Sequence, residues 1–321
     1  MSTTKRKRVD DGPRAEEELK ARSDIWFNDG NIILEAQGKQ FRVHRGVLAK
    51  HSDVFKDMFD VPTPPNDPTV EGCQIVHLTD SAQDVEHLLS CLYDWLHYSS
   101  EPLPVRILSA LVRLGHKYAF LQFRDEAVSR LEYDYPNDIK NYLQPKKEYA
   151  LIRYEEPNER LDILNLAREY KLHTILPSLY MELFTKYHLN EIIAGVDRKD
   201  GTSFHLPQDE KLVWAVGFSR YRAASMKHTF YWMTNVPYEG CTSRKCRNAA
   251  RVVSHGVIYD FNDHIYPCLF DWNKEWEENL CESCVSAAKV EHEEELNKIW
   301  EAVPSFFGLP SWGDLSNFDF N

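Results

Sequence analysis

The chain has 321 residues and a formal net charge of −12, from 38 Lys and Arg against 50 Asp and Glu. Hydrophobic residues make up 43% of it, enough for about two or three domains, which excludes disorder throughout. No apolar run reaches the roughly 18 residues that a membrane-spanning helix needs, and residues 1–22 lack the apolar stretch of a secretory signal. The acidic net charge argues against a protein that coats nucleic acid through net charge alone. Seven cysteines without a signal predict a reducing, intracellular compartment.

Residues 1–19 have no apolar cluster to bury and are predicted to be a disordered tail. A basic block stands ahead of an acidic block at 16–18 and consists of Lys5, Arg6, Lys7 and Arg8. Four consecutive cations are typical of a nuclear-import signal, and a solvated charge run is the alternative interpretation. The tail therefore predicts a nuclear location, with the cytoplasm as the other possibility.

Residues 20–134 predict a hairpin, two short helices, a third strand and three further helices. The β-type runs are 25–27, 32–34, 41–43 and 75–78, and helical spacing covers 47–48, 54–59, 81–95, 105–118 and 121–133. We expect Ser52 to cap the second helix with its hydroxyl group. Residues 61–72 contain four prolines and are assigned to a loop.

One stretch of this region has a specific pattern, the phrase FRVHRGVLAKHSDVFKDMF at 41–59, preceded by SDIWF at 23–27. Over about 110 residues the sequence resembles the BTB/POZ domain. The whole chain is similar to a large set of fungal BTB-domain proteins. The resemblance implies an α+β fold, a short sheet with a cluster of helices, followed by a helical extension.

The resemblance also implies a role in binding protein, most often as a homodimer formed through the first strand and first helices. Asp24 and Arg45 match the positions of a charged pair that lines the dimer pocket, and two side chains that simply face water are the alternative. We expect His44 to pack and hydrogen-bond near the first helix. Relatives that recruit a cullin carry an apolar-x-Glu motif where this chain has 58-MFD-60, with Asp60 in place of Glu.

Residues 135–235 predict a helical extension, with amphipathic stretches at 161–170, 175–184 and 212–233. No catalytic constellation is visible in it. We interpret the apolar stripes as a helical core.

Residues 236–321 hold five of the seven cysteines within 44 residues. Cys241 and Cys246 form a C-x4-C pair, Cys281 and Cys284 form a C-x2-C pair, and 34 residues separate the two pairs. Two such pairs, one in a loop and one opening a helix, predict a tetrahedral Zn²⁺ site. Four buried free cysteines are the alternative.

The arrangement is similar to a treble-clef finger, which predicts strands at 251–253 and 257–259 before a helix at 285–300. Substitute ligands, should one of the four fail, are His255, His264 and Cys268. Four thiolates close the coordination shell, so the metal is expected to be structural. The acidic helix at 285–300 would repel phosphates, and direct contact with nucleic acid is not expected.

Phosphate-binding loops, dinucleotide-binding turns, nucleophile elbows and kinase signatures are absent from the sequence. The sequence therefore predicts a non-enzymatic adaptor that self-associates through its BTB domain, in transcriptional regulation or a related process. A substrate adaptor of a cullin ubiquitin ligase is the first alternative. A zinc-dependent DNA-binding or enzymatic role of the C-terminal module is the second.

Overall fold

The chain divides into two compact units. The computed structural model describes residues 21–62, 68–144, 150–199, 201–260, 269 and 271–320, with the backbone alone for 255–260. The first unit runs to Trp95 and includes Leu114–Leu121; the second comprises Leu96–Arg113 and Gln122–Asn321. The predicted domain boundaries at residues 19, 134 and 235 stay predictions.

A mixed five-stranded sheet forms the base of the first unit. Its strands are β1 (Ala21–Trp26), β2 (Ile32–Ala36), β3 (Lys39–Val43), β4 (Thr69–Val70) and β5 (Cys73–Leu78), in the order β1-β3-β2-β5-β4. Strands β2 and β3 form the predicted antiparallel hairpin, while β1 and β5 add to it in parallel. Gln37 and Gly38 have φ values of 45° and 76°, as a tight two-residue hairpin turn requires. Strand β4 lies where the sequence predicts only loop.

The helices of residues 45–134 follow the predicted order, with one additional short helix at Trp95–Ser100. They are α1 (Arg45–His51), α2 (Asp53–Asp60), α3 (Ala82–Tyr93), α4 (Trp95–Ser100), α5 (Val105–Lys117) and α6 (Leu121–Asp134). The prediction that Ser52 caps α2 is confirmed, since its Oγ accepts from the Phe55 N–H at 3.0 Å. The same hydroxyl donates to the carbonyl oxygen of Tyr118 at 2.5 Å, so one buried side chain joins the start of α2 to the residue that follows α5.

The core of the first unit is apolar and aromatic. The hairpin buries Ile33 and Phe41 completely. The ring of Phe55 on α2 lies 5.2 Å from that of Tyr118 and 5.8 Å from that of Phe120, centroid to centroid. Burial of this many apolar side chains is the dominant favourable term in folding, so this unit has a core of its own.

The second unit is mostly helical. Besides most of α4 and α6 and the part of α5 that precedes Leu114, its elements before residue 230 are β6 (Leu103–Pro104), α7 (Ile139–Leu143), β7 (Ile152–Arg153), α8 (Glu159–Glu169), α9 (Leu176–Phe184), α10 (Leu189–Ala194), β8 (Val196–Asp197), β9 (Ser203–Phe204) and α11 (Gln208–His228). After these come α12 (Trp232–Asn235), α13 (Cys246–Asp260), α14 (Glu282–Phe306) and two short 3-10 turns at Lys274–Glu277 and Trp312–Asp314. All of α9 is buried, and α14 packs against α11. The helix predicted to reach residue 233 ends at His228.

The end of the chain packs on these helices through aromatic side chains. Trp300 donates its indole N–H to the Asn137 carbonyl at 2.9 Å and stacks on Trp312 at 4.8 Å between centroids. Phe307 stacks on Tyr180 of α9 at 4.3 Å. Trp300 and Phe307 are therefore part of the core of the second unit.

Candidate metal centre and interaction surface

The structure brings the four predicted cysteine ligands together. Cys241 lies in a loop, Cys246 is the first residue of α13, Cys281 precedes the first turn of α14 and Cys284 lies within that turn. All four Sγ atoms lie within 4.8 Å of one another. The residues are close enough to bind one metal ion.

The geometry fits tetrahedral thiolate coordination. A Zn–S bond of about 2.3 Å gives a tetrahedron with S–S edges of about 3.8 Å. The Sγ atoms of Cys281 and Cys241 lie 3.8 Å apart. Cys246 and Cys284 are buried, while Cys241 and Cys281 are half-buried. The cluster thus offers a closed set of four soft ligands, two buried and two half-buried.

The surroundings of Cys281, Cys284 and Cys246 shift the pKa values of their thiols in different directions. Backbone N–H groups of Thr242 and Cys284 hydrogen-bond to the Cys281 sulfur and lower its pKa to about 5. Burial raises the pKa of the Cys284 thiol to about 12 and also raises that of Cys246. A metal that binds all four as thiolates must displace protons from the buried thiols, so its affinity falls with falling pH.

An aromatic cluster packs against the cysteine site. Trp232 of α12 lies 5.1 Å from Trp272, and the rings of Trp272 and Trp276 lie 5.6 and 5.4 Å from His292. These side chains belong to the buried group that includes Cys246 and Cys284. His292 is 2% exposed and its Nδ1 lies 3.0 Å from the Thr229 carbonyl oxygen, so it is a core residue. Its sequence neighbourhood gives no signal for that role.

The predicted treble-clef topology is wrong in one respect. Residues 251–253 and 257–259, predicted as strands, lie within the helix α13. The β-branched residues there favour strands locally, but the buried positions Cys246, Ala249 and Ala250 follow helical spacing. Packing of that face decides the structure. The helix predicted at 285–300 is present and longer, as α14.

The side chains of the three substitute ligands lie outside the part of the chain that the structure describes. His264 and Cys268 fall outside the residues that the structure describes, and of His255 only the backbone is described. The basic block Lys5, Arg6, Lys7 and Arg8 also lies outside them.

His44 packs at the start of α1, as expected from the sequence. Its backbone N–H donates to the Tyr93 hydroxyl at 3.0 Å, its Nδ1 lies 3.1 Å from the same oxygen, and its Nε2 lies 3.2 Å from Asp29 Oδ1. The ring also lies 5.1 Å from that of Phe27. Structural contacts account for both nitrogens of the ring.

Asp24 and Arg45 are placed apart within one copy of the chain. Arg45 donates from its guanidinium to the Phe59 carbonyl and lies over the Phe59 ring at 4.7 Å. Among the described residues, no ion pair joins it to Asp24, which is exposed on β1. A pair across a dimer pocket stays a prediction.

An apolar stripe runs along the exposed side of α2. Val54, Met58 and Val61, at spacings of four and three residues, are 36%, 37% and 66% exposed. We refer to these three residues as the α2 stripe. The sequence assigns Val54 and Met58 to the apolar set of the helix without separating core from surface. The exposed face of a helix normally carries polar residues, so the stripe is a candidate contact surface.

Comparison with known families identifies the first part of the chain. Residues 27–126 match the BTB/POZ domain, a protein-interaction domain that is typically non-enzymatic. The chain therefore carries a BTB/POZ domain, and the predicted mixed α+β fold with a helical extension and a clustered cysteine set is confirmed. No curated protein matches the chain. In the part of the chain that the structure describes, no helix is both long and apolar enough to cross a bilayer.

Proposed function

We propose that this protein is a non-enzymatic adaptor whose BTB/POZ domain self-associates through the α2 stripe. The observation that carries the proposal is the exposure of Val54 and Met58 on one side of a short amphipathic helix, together with Val61 at the residue that follows it. A two-fold interface presents the same patch from both copies, so each exposed side chain would be buried twice. Exposed Asp53, Lys56 and Asp57 provide the polar rim that usually surrounds such a centre.

Sedimentation equilibrium of the purified chain tests this proposal. The wild type is expected to show about twice the 37.6 kDa chain mass at micromolar concentration. Met58→Lys places a charge at the centre of the stripe, so the mass should fall to that of one chain. Met226→Lys, at a methionine of α11 that is 67% exposed, is the matched control and should remain dimeric. A monomeric wild type, or a dimeric Met58→Lys variant, contradicts the proposal.

Cullin recruitment is the alternative use of the same surface. Met58 and Asp60 are both exposed at the end of α2, where relatives present an apolar residue and Glu. The Asp side chain is one methylene shorter, which withdraws its carboxylate from a partner's cation. A pull-down with the purified N-terminal region of a cullin separates the two proposals. Binding at micromolar concentration, lost in Asp60→Ala, supports the cullin adaptor.

The C-terminal cysteines hold one structural Zn²⁺ ion in this proposal. Four soft ligands close the tetrahedron and leave no open position for a substrate. Cys246 and Cys284 connect the metal to the buried aromatic cluster, so the ion would fix the starts of α13 and α14 to each other. Its chemical contribution is folding free energy.

The basic block of the tail directs the adaptor to the nucleus, where it serves transcriptional regulation. A fluorescent fusion of the full chain is expected to accumulate in nuclei. The K5A/R6A/K7A/R8A variant should spread through the cytoplasm. Equal distribution of both chains would remove the nuclear assignment and leave self-association untouched.

A further inference from the structure

Four cations lie close together on the surface beside the cysteine cluster. Arg244 and Lys245 are in the loop that leads into α13, and Arg247 and Arg251 are on the first two turns of that helix. All four side chains are exposed. Residues 240–254 contain no Asp or Glu. We call these four residues the basic patch.

The basic patch is not used by the fold. None of its side chains forms an ion pair or hydrogen bond with the residues that the structure describes. Other arginines of the same unit are engaged: Arg160 pairs with Glu182, and Arg130 with Glu126. Like charges held close together repel one another, and an anionic ligand would relieve that repulsion.

The acidic residues of α14 lie at different distances along the helix from the cysteine pair. Glu291 and Glu294 are seven and ten residues beyond Cys284, or about 10 and 15 Å from it along the helix axis. Glu291 is also engaged, since it accepts from Tyr238 and Asn235. The carboxylates nearest to the cysteine pairs in the chain are Glu239 and Glu282, both exposed, and the four cations of the basic patch outnumber them.

The negative charge of a zinc-loaded cysteine site is smaller than the positive charge of the basic patch. Zn²⁺ with four thiolates carries a charge of −2, and two of the four sulfurs are buried. Four cations against −2 leave about +2 at the surface.

We propose that the basic patch binds the phosphate backbone of double-stranded nucleic acid, without reading its sequence. Phosphate contacts in such complexes come from Arg, Lys, Ser, Thr and Asn side chains, and exposed Thr242 and Asn248 flank the four cations. Residues 241–254 contain no aromatic side chain. The patch thus lacks the anchors of a peptide-binding hot spot and the stacking platform for single-stranded bases. This inference goes beyond the BTB-based function and does not depend on it.

Fluorescence anisotropy with a labelled 20-bp DNA duplex of random sequence, measured on the full chain at 50–200 mM salt, tests the proposal. Each phosphate contact contributes about −0.9 to the slope of log K against log salt, so four contribute about −3.6. The R244Q/K245Q/R247Q/R251Q variant should lose that contribution and bind at least about tenfold more weakly at low salt. Each single variant should reduce the slope by about 0.9.

A matched control removes the same charge elsewhere. The K140Q/K186Q/K227Q/K274Q variant changes four exposed lysines of the second unit and should keep the wild-type slope. The tail cations remain in every variant, so the difference between variants reports the patch. Metal content, measured in parallel, should stay that of the wild type and shows that the module is intact.

Equal slopes and affinities for the patch variant and the control would overturn the proposal. So would binding of poly-glutamate in the absence of duplex binding, since the patch would then be a peptide site. Neither result would bear on self-association, which the sedimentation experiment measures independently.

Discussion

The sheet of the first unit and the cysteine module of the second are stabilised by different means. Helix α3 packs on strands β1 and β2 of the sheet, and the apolar side chains of the hairpin and the ring of Phe55 are buried. The cysteine module has a small aromatic core around Trp232 and Trp276, with four thiols at its edge. The first region folds by apolar burial, whereas the second depends on a ligand set that a metal would complete.

The comparison shows that local sequence patterns predict the secondary structure of the first region but only the metal-ligand residues of the second. In the first, short apolar runs and helical spacing correspond to strands and helices, and the continuous apolar run of β2 reflects burial along the whole strand. In the second, the spacing of the cysteines identifies the site, while β-branched residues give a misleading signal for α13. A metal-ligand pattern can therefore be read from sequence where the surrounding secondary structure cannot.

Loss of a cysteine ligand should give the largest effect. Cys284→Ser is expected to reduce bound zinc from about one ion per chain to near zero, since structural sites need all four ligands. Zinc binding is worth about 10–16 kcal/mol in small zinc modules, so residues 230–300 should lose protection from hydrogen exchange. Elemental analysis and exchange mass spectrometry measure both quantities.

The matched control for that variant is Cys73→Ser, at a buried cysteine on β5. It should keep the metal. Retention of zinc by Cys284→Ser would show that Cys284 is not a ligand. Unchanged hydrogen exchange after loss of zinc would show that the cysteine module does not depend on the metal for its stability.

A cavity in the core of the first unit should lower the stability of the fold without changing the metal content. Phe55→Ala removes a ring that is 1% exposed and should cost about 3–5 kcal/mol in the free energy of unfolding. Metal content should not change. Tyr133→Ala, at a tyrosine that is 59% exposed, should change stability by less than about 0.5 kcal/mol. Chemical denaturation measures the difference, and equal costs for the two variants would contradict the assigned core.

Close packing in the helical part can be tested at Gly217 of α11. A Cβ atom there would lie 2.4 Å from Cε1 of Phe307, whose ring is stacked on Tyr180 and cannot move freely. Overpacking of about 1–3 kcal/mol exceeds the gain in helix propensity of about 1 kcal/mol. Gly217→Ala should therefore destabilise the chain by about 1 kcal/mol in thermal or denaturant unfolding.

The same substitution at Gly46 of α1 meets no atom within 4 Å. Gly46→Ala should be neutral or slightly stabilising, because only the helix propensity changes. Two shifts of the same sign would argue against contact between α11 and Phe307.

The smallest expected effect is a pH dependence at Glu295 of α14. Burial acts to raise its pKa, but hydrogen bonds from Lys298 and His228 outweigh burial and lower the pKa below 4.5. A folded-state pKa below the unfolded value means stability that is present above about pH 4.5 and lost as pH falls through the folded pKa.

Glu295→Gln should therefore reduce stability at pH 7, by up to about 1 kcal/mol, and lose less on acidification than the wild type does. Urea unfolding at pH 7 and pH 4 measures the difference. Glu294→Gln, at an exposed position of the same helix, is the control and should follow the wild-type profile. A wild-type acid profile in Glu295→Gln would exclude the proposed contribution.

Much of the first region follows from its own residues. The hairpin turn at Gln37-Gly38, the cap at Ser52 and the helix start at Ser81 are chemical signals that act over three or four positions, so they are readable locally. Exposure of the α2 stripe is not readable in this way. The sequence of an amphipathic helix shows which of its residues are apolar. Which of those residues are buried depends on the elements that pack against the helix.

Three residues of the second unit, His292, Trp300 and Trp312, are buried or stacked in a way that their local sequence does not predict. His292 stands among glutamates in the sequence, yet Trp272 and Trp276 enclose it. Trp300 and Trp312 are twelve residues apart and stack because α14 ends between them. Contacts between distant segments bury these rings, and the flanking residues carry no trace of those contacts.

The sequence by itself determined the BTB/POZ domain, the order of its strands and helices, and the identity of the four clustered cysteines, because these depend on turn chemistry, apolar spacing and ligand spacing. Only the tertiary structure decided that α13 is a helix, that the α2 stripe is exposed and that the basic patch has no partner among the described residues. Each of those outcomes depends on which surfaces meet across long stretches of chain, and packing between such surfaces outweighs local propensity.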